Sequence, residues 1–302
     1  MTELMEGKTV VVTGGTAGVG RETACGLARL GAQVVVVGRD GDRARTAVAE
    51  LRRDAGNDRV EAVLADLTLK RNVRELAERI AARYGEIHVL INNMGVTRAS
   101  RMLTPEGIET TFAANVLAPY LLVEGLLPTL IRAAPARIIN ITGGVPHGSI
   151  DLDNLQGERS YVALSHYNQT KLALMAMSYT TAERLRGSGV TLNVAYPGHA
   201  YTSINKSLPV SAYPPLARPI VPLLRPLMPI LYGHRAAVRA SRSSVYLASD
   251  PGVADLHGTY INSSCRAVTW PAAVLSQRNR DAVGAICEQL ATAPTRSTGQ
   301  AA

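Results

Sequence analysis

The sequence predicts an α/β fold of one domain: a doubly wound, parallel sheet of about seven strands with helices on both faces. Short apolar runs alternate with longer amphipathic stretches over the first 200 residues or so. Strands that alternate with helices need crossover connections, which leave the strands parallel. The run Gln33-Val34-Val35-Val36-Val37 is apolar without alternation, the pattern of a strand covered on both faces. A glycine-rich turn, residues 13–20, joins the first strand to the first helix.

Each element has its own signal. Residues 9–13 (Thr-Val-Val-Val-Thr) are β-branched throughout and read as the first strand, followed by a helix over 18–30. Residues 33–37 form the second strand, and 42–54 carry helical periodicity. A third strand covers 60–64, a helix 70–84 and a fourth strand 87–91. Residues 104–130 read as a long helical region interrupted at Pro119 and Pro128, because proline removes a helix hydrogen bond. The fifth strand is 137–141, a long helix spans 161–186, and the sixth strand is 190–195. A helix over 238–248, a last strand at 257–261 and a helix at 276–290 complete the domain, with a disordered tail expected from 294.

Residues 208–231 break the pattern with seven prolines among Leu, Ile, Val and Met. Prolines this dense exclude a regular helix or central strand. A packed connection, an apolar lid over a lipophilic substrate and a membrane-surface contact are the three readings.

Composition narrows the function. The 302 residues carry a formal charge of +8, yet the arginines are dispersed without a basic run or interleaved aromatics, which argues against nucleic acid. Three cysteines, Cys25, Cys265 and Cys287, have no metal-ligand spacing and suit a reducing compartment. No secretory cleavage pattern precedes the glycine turn, and no apolar stretch of about 18 residues suggests a membrane span. The expected location is the cytoplasm, and no metal is expected.

Two constellations carry chemistry. The turn Thr13-Gly14-Gly15-Thr16-Ala17-Gly18-Val19-Gly20 would bring backbone N–H groups to a pyrophosphate at a helix N-terminus. At the end of the second strand Arg39 can grip a 2′-phosphate, whereas Asp40 could instead meet a ribose diol. Arg39 is taken as the residue that faces the ribose, which favours NADPH over NADH. The second constellation is Tyr167 and Lys171, one helical turn apart in a chain with only four lysines. An ammonium beside a phenol stabilises the phenolate, so this pair reads as a proton donor with its tuner. His166, beside it, reads as a helix surface or rim residue.

These motifs resemble the short-chain dehydrogenase/reductase superfamily, and residues 13–24, 37–40 and 154–171 resemble its retinol-dehydrogenase-like branch. The resemblance implies the Rossmann architecture and an oxidoreductase of C=O and CH–OH groups. It implies nucleotide contacts at Gly14, Gly18 and Gly20, an adenine contact at Asp66-Leu67, and further cofactor contacts at Asn92, Gly95, Pro197, Gly198 and Thr202. It assigns proton transfer to Tyr167 and Lys171 and a water-holding relay position to Asn115. It further implies a homodimer or homotetramer built on the helices over 104–130 and 161–186.

One departure stands out. The family ends its fifth strand with Asn-Val-Ser-Ser, whereas this chain reads Asn140-Ile141-Thr142-Gly143-Gly144. Counting forward from Asn140 puts Gly143 at the position of the carbonyl-polarising serine, and counting back from Tyr167 puts Thr142 there. Thr142, which keeps a hydroxyl, is the preferred reading; with Gly143, Tyr167 would act alone or Ser149 or His147 would swing in. Met94, Val96, His147, Tyr201 and Tyr213, with the proline-rich segment, are the expected substrate wall, suited to a bulky lipophilic carbonyl or alcohol. The alternative is a chain that binds NADP(H) without net redox turnover.

Overall fold

The computed structural model describes residues 4–144, 147–198, 208–214, 218–224 and 234–294. Its strands are β1 (Thr9–Thr13), β2 (Gln33–Gly38), β3 (Val60–Leu64), β4 (Val89–Asn92), β5 (Ala136–Ile141), β6 (Val190–Ala195), β7 (Tyr260–Ile261) and β8 (Ala267–Val268). They lie in the order β3-β2-β1-β4-β5-β6-β7-β8. All neighbours are parallel except β7 and β8. The expected last strand is shorter than read and folds back on β8, which makes the sheet eight-stranded.

Helices α1 (Gly18–Arg29), α2 (Gly41–Ala55) and α3 (Lys70–Tyr84) follow the first three strands. The next helical stretch starts at 110 rather than 104 and runs through both prolines. It comprises α4 (Thr110–Phe112), a π-helical turn (Ala113–Leu117) and α5 (Ala118–Arg132). Residues ahead of it form a bridge between Leu103 and Glu109. Pro119 follows directly on the π-helical turn, and Pro128 is carried inside the helix. This stretch is long and apolar enough to cross a membrane, but Leu121, Leu122, Leu126 and Leu130 are buried in the core beside α3. It is a core helix.

Helix α6 (Ala163–Arg184) follows β5, and α7 (Val221–Leu224) is a single turn within the proline-rich segment. The segment read as one helix over 238–248 is two, α8 (His234–Ala240) and α9 (Arg242–Ser249). Helices α10 (Ala272–Leu275) and α11 (Gln277–Thr292) close the chain. Two apolar cores sandwich the sheet. Val11, Val35, Leu90 and Ile138 face α3, α5, α6 and α11, while Val10, Val34, Ile91 and Ile139 face α1 and α9. Cys25 and Cys287 fill these cores, and Cys265 lies in a turn.

The parallel strands all end on one edge. Between β1 and β4 the connections depart to opposite faces, and a crevice opens at their carboxyl ends.

Candidate active site

The floor of the crevice is the turn after β1. Gly14 and Gly18 have left-handed backbone, φ +64° and +56°. A Cβ at Gly20 would stand 2.3 Å from Asn93 Nδ2, and one at Gly15 2.7 Å from Val36 Cγ1. Only bare backbone fits there. Ala17, at the N-cap of α1, has no side chain to occupy the first-turn N–H groups, which leaves them to a ligand anion. Asn93 holds the turn in place: its Nδ2 donates to Thr13 O at 2.9 Å. The N–H groups of Asn93 and Met94 both donate to Thr13 Oγ1 at 3.0 Å.

Thr13 is thus buried and braces the turn against β4. Asn92 is likewise buried, with its Nδ2 donating to Asn140 Oδ1 at 2.8 Å, while Asn140 Nδ2 donates to Ser178 Oγ at 2.8 Å. That chain ties β4, β5 and α6 together beneath the crevice. Leu67 lies in the core. Asp66 is partly exposed, and its Oδ1 accepts from the N–H and hydroxyl of Thr68.

At the end of β2 the two adjacent charges separate. Asp40 is the N-cap of α2, accepting from Arg43 N at 3.0 Å. That bond, with nearby arginines, holds its carboxyl below the usual range. Arg39 is exposed beside Gly38, where a Cβ would meet Thr16 Cγ2 at 2.8 Å. Arg39, Thr16 and the glycine turn therefore share one rim.

On the other side of the crevice stand the carboxyl end of β5 and the first turns of α6. Lys171 is buried, and its Nζ donates to Ile141 O at 3.1 Å and lies 5.8 Å from the Tyr167 ring centroid. Burial pushes the Lys171 ammonium down to about 8. Burial, with the nearby Tyr196, pushes the Tyr167 phenol up. Desolvation is the leading cause of both shifts.

The serine position resolves by geometry. A Cβ at Gly143 would stand 2.7 Å from Tyr167 Oη. Thr142 is buried, and its N–H continues the β5–β6 ladder by donating to Ala195 O at 3.0 Å. Gly143, not Thr142, faces the phenol. Asn115 lies in the π-helical turn, fully buried. Its Oδ1 accepts from Val96 N at 2.9 Å, and its Nδ2 donates to Val96 O and Thr170 Oγ1. Three of the amide's four bonding positions are thereby committed, so this side chain clamps Val96 and α6 with one acceptor lone pair to spare.

Gly95, Val96, Met94, Pro197 and Gly198 are partly exposed along the crevice edge, and His147 is exposed. Tyr213 packs with Ala163, Leu164, Leu208 and Ala212 at the start of α6, so residues 208–213 of the proline-rich segment dock at Ala163, four residues before Tyr167. Arg218 donates to Tyr213 O and Ser211 O and so folds back onto its own segment. Tyr201 and Thr202 lie outside the described residues.

Sequence reasoning missed one buried pair. His166 is not at the rim: its Nε2 lies 2.9 Å from Glu109 Oε2, and neither side chain is more than 3% exposed. Glu109 Oε2 also accepts from Phe112 N at 2.7 Å and so caps α4. Burial raises the Glu109 carboxyl, but His166 and the Thr111 and Phe112 N–H groups outweigh it and hold it below its usual range. Glu109 is the N-cap of α4, a position that Ser, Thr, Asp or Asn usually signals, so its residue type did not announce it. Its histidine partner 57 residues on leaves no local trace.

The family model described as short chain dehydrogenase matches residues 8–211. The chain is 38% identical to mouse retinol dehydrogenase 12 over 67% of its own length and 64% of that protein. It is 34% identical to human retinol dehydrogenase 13 over 85% of its length and 76% of that protein. Among solved structures, it superposes on the Pseudomonas aeruginosa RhlG/NADP active-site complex with a TM-score of 0.63 and 26% identity, over 87% of this chain and 97% of that one. Glycine trough, buried lysine and phenol at the β5 edge, together with these matches, place the chain in the short-chain dehydrogenase family of NAD(P)-dependent oxidoreductases.

Proposed function

We propose that the protein is an NADPH-dependent oxidoreductase that interconverts a bulky lipophilic carbonyl compound and its alcohol. The observation that carries this is the Tyr167 hydroxyl set at the carboxyl end of β5, against Gly143 and one helical turn from Lys171. A glycine turn packed closely against Val36 and Asn93, with an uncapped helix N-terminus, fits a dinucleotide pyrophosphate. Gly14, Gly18, Gly20, Arg39, Asp66, Gly95, Pro197 and Gly198 would hold that cofactor. NADPH is favoured because Asp40 is engaged as a helix cap, which leaves Arg39 to meet a 2′-phosphate.

Bound there, the reduced nicotinamide supplies the hydride that the carbonyl carbon accepts. Tyr167 gives its phenolic proton to the carbonyl oxygen, or takes a proton from the alcohol in reverse. Lys171 holds positive charge next to that oxygen, and Asn115 fixes the loop and helix that flank it. Met94, Val96 and Tyr213 give the crevice an apolar side, in keeping with relatives named for retinol.

The test is loss of absorbance at 340 nm with NADPH and with NADH against a panel of hydrophobic aldehydes and ketones. Turnover that prefers NADPH and falls about 10²- to 10⁴-fold in Tyr167→Phe supports the reading. Tight NADPH binding with no turnover across the panel favours a binding role, the reading that the missing hydroxyl at position 143 would suit.

A further inference from the structure

We infer that Glu109 and His166 are positioning residues for the reaction: their buried bond fixes the start of α6 and, with it, the aim of the Tyr167 hydroxyl. The inference rests on the oxidoreductase reading above. Proton transfer needs a donor held in place, and a displacement of about 1 Å can cost about 10²-fold in rate.

Tyr167 occupies a weak place in its helix. It is the fifth residue of α6, and Val162 at the N-cap has no side-chain oxygen to meet the free N–H groups of the first turn. Such a start frays unless contacts from elsewhere hold it. The residue before Tyr167 makes one. His166 Nε2 lies 2.9 Å from Glu109 Oε2, and both side chains are all but fully buried. The Glu109 carboxyl, held below its usual range, only accepts, so the imidazole presents its Nε2–H to it. Oε2 also accepts from Phe112 N, so one oxygen caps α4 and anchors α6.

The imidazole is confined as well as bonded. The Tyr161 ring stands against it, with centroids 4.8 Å apart. Tyr161 Oη donates to Arg98 O at 3.1 Å and lies 3.2 Å from Thr111 Oγ1. Gly157 lies against both rings: a Cβ there would stand 2.7 Å from Tyr161 Cδ2 and 3.6 Å from His166 Cε1.

One helical turn on, Thr170 Oγ1 accepts from Asn115 Nδ2 and donates to Tyr167 O at 2.8 Å. His166 and Thr170 share one stripe of α6, and Tyr167 and Lys171 share the next. Two polar ties on the first stripe therefore set the rotation of α6 about its axis. That rotation decides where phenol and ammonium point. Glu109 and His166 are buried away from solvent, and they act through Tyr167.

The experiment compares His166→Leu, His166→Gln and Tyr167→Phe with the unaltered chain. It uses the NADPH-coupled carbonyl panel, NADPH affinity by fluorescence quenching, and circular dichroism to keep every assay well below the thermal midpoint. Leucine keeps bulk and loses the donor, whereas glutamine keeps an N–H near the Nε2 position. The expected result for His166→Leu is a kcat about 10- to 100-fold lower, with KM and NADPH affinity unchanged. His166→Gln is expected to stay within about threefold of the unaltered chain. If the leucine variant does not fold, His166→Asn, whose amide stops short of Glu109, takes its place. A folded His166→Leu within about threefold in kcat, beside an inactive Tyr167→Phe, overturns this inference and leaves the reaction standing. Equal losses in the leucine and glutamine variants also overturn it, because the bond to Glu109 is then not what matters. So does a loss confined to KM or to NADPH affinity. No turnover by the unaltered chain overturns both readings.

Discussion

Burial drives Tyr167 and Lys171 each toward its neutral form, one phenol up and one ammonium down to about 8. A lysine with a depressed value carries its charge below that pH and loses it above. The rate of carbonyl reduction is therefore expected to fall as pH rises through about 8, read from kcat/KM against pH on the panel substrates. The second prediction at this scale concerns Gly143. Restoring the family's hydroxyl as Gly143→Ser would seem a gain, yet its Cβ would press on the phenol oxygen at 2.7 Å. The tyrosine must swing aside, and kcat is expected to drop by about 10², with the fold retained by circular dichroism. The sequence placed Tyr167, Lys171 and the glycines because their spacing is local. It misplaced the hydroxyl position because counting back from Tyr167 crosses a loop of unconstrained length. The β5 pairing, Asn140 opposite Asn92 and Val194, admits only one register.

Helices α4 to α6 act as a unit through contacts that no local pattern announces. The π-helical turn sets Asn115 between Val96 and Thr170, and Glu109 joins the cap of α4 to His166, the residue before Tyr167. Glu109→Ala leaves a buried histidine unpartnered and two helix N–H groups uncapped. It is expected to cost about 3–5 kcal/mol, measured as a shifted denaturant midpoint. The sign with pH follows from the lowered Glu109 carboxyl. Its contribution is full above the ordinary value of ~4.3 and fades as pH falls through the lower folded value. Proline rules predicted breaks at Pro119 and Pro128, but buried Leu121, Leu126 and Leu130 hold the helix through them. Tertiary packing overrode propensity there.

Across the whole molecule, the last helix is tied back to the nucleotide half. Lys70 Nζ donates to Leu290 O at 3.0 Å and Ala293 O at 2.5 Å, and Arg74 donates to Ala291 O. Lys70→Met is expected to raise amide exchange in α11 while β1 and β2 stay protected, a contrast that hydrogen-exchange mass spectrometry reads directly. The parallel sheet was legible because its valine runs are covered on both faces. The fold-back of β8 was not, because a two-residue strand carries no period. One edge of that sheet holds every group assigned to the reaction. The opposite rim is made of short helix-to-strand turns, and at Gly56, Gly85 and Gly187 the backbone has positive φ with nothing within 4 Å of a would-be Cβ. The glycines themselves would be strained by any side chain, but their exposed neighbours Asp58, Glu86 and Arg186 offer attachment points: a fluorophore, an affinity peptide or a surface tether placed there stands at the far end of the sheet from the reacting groups.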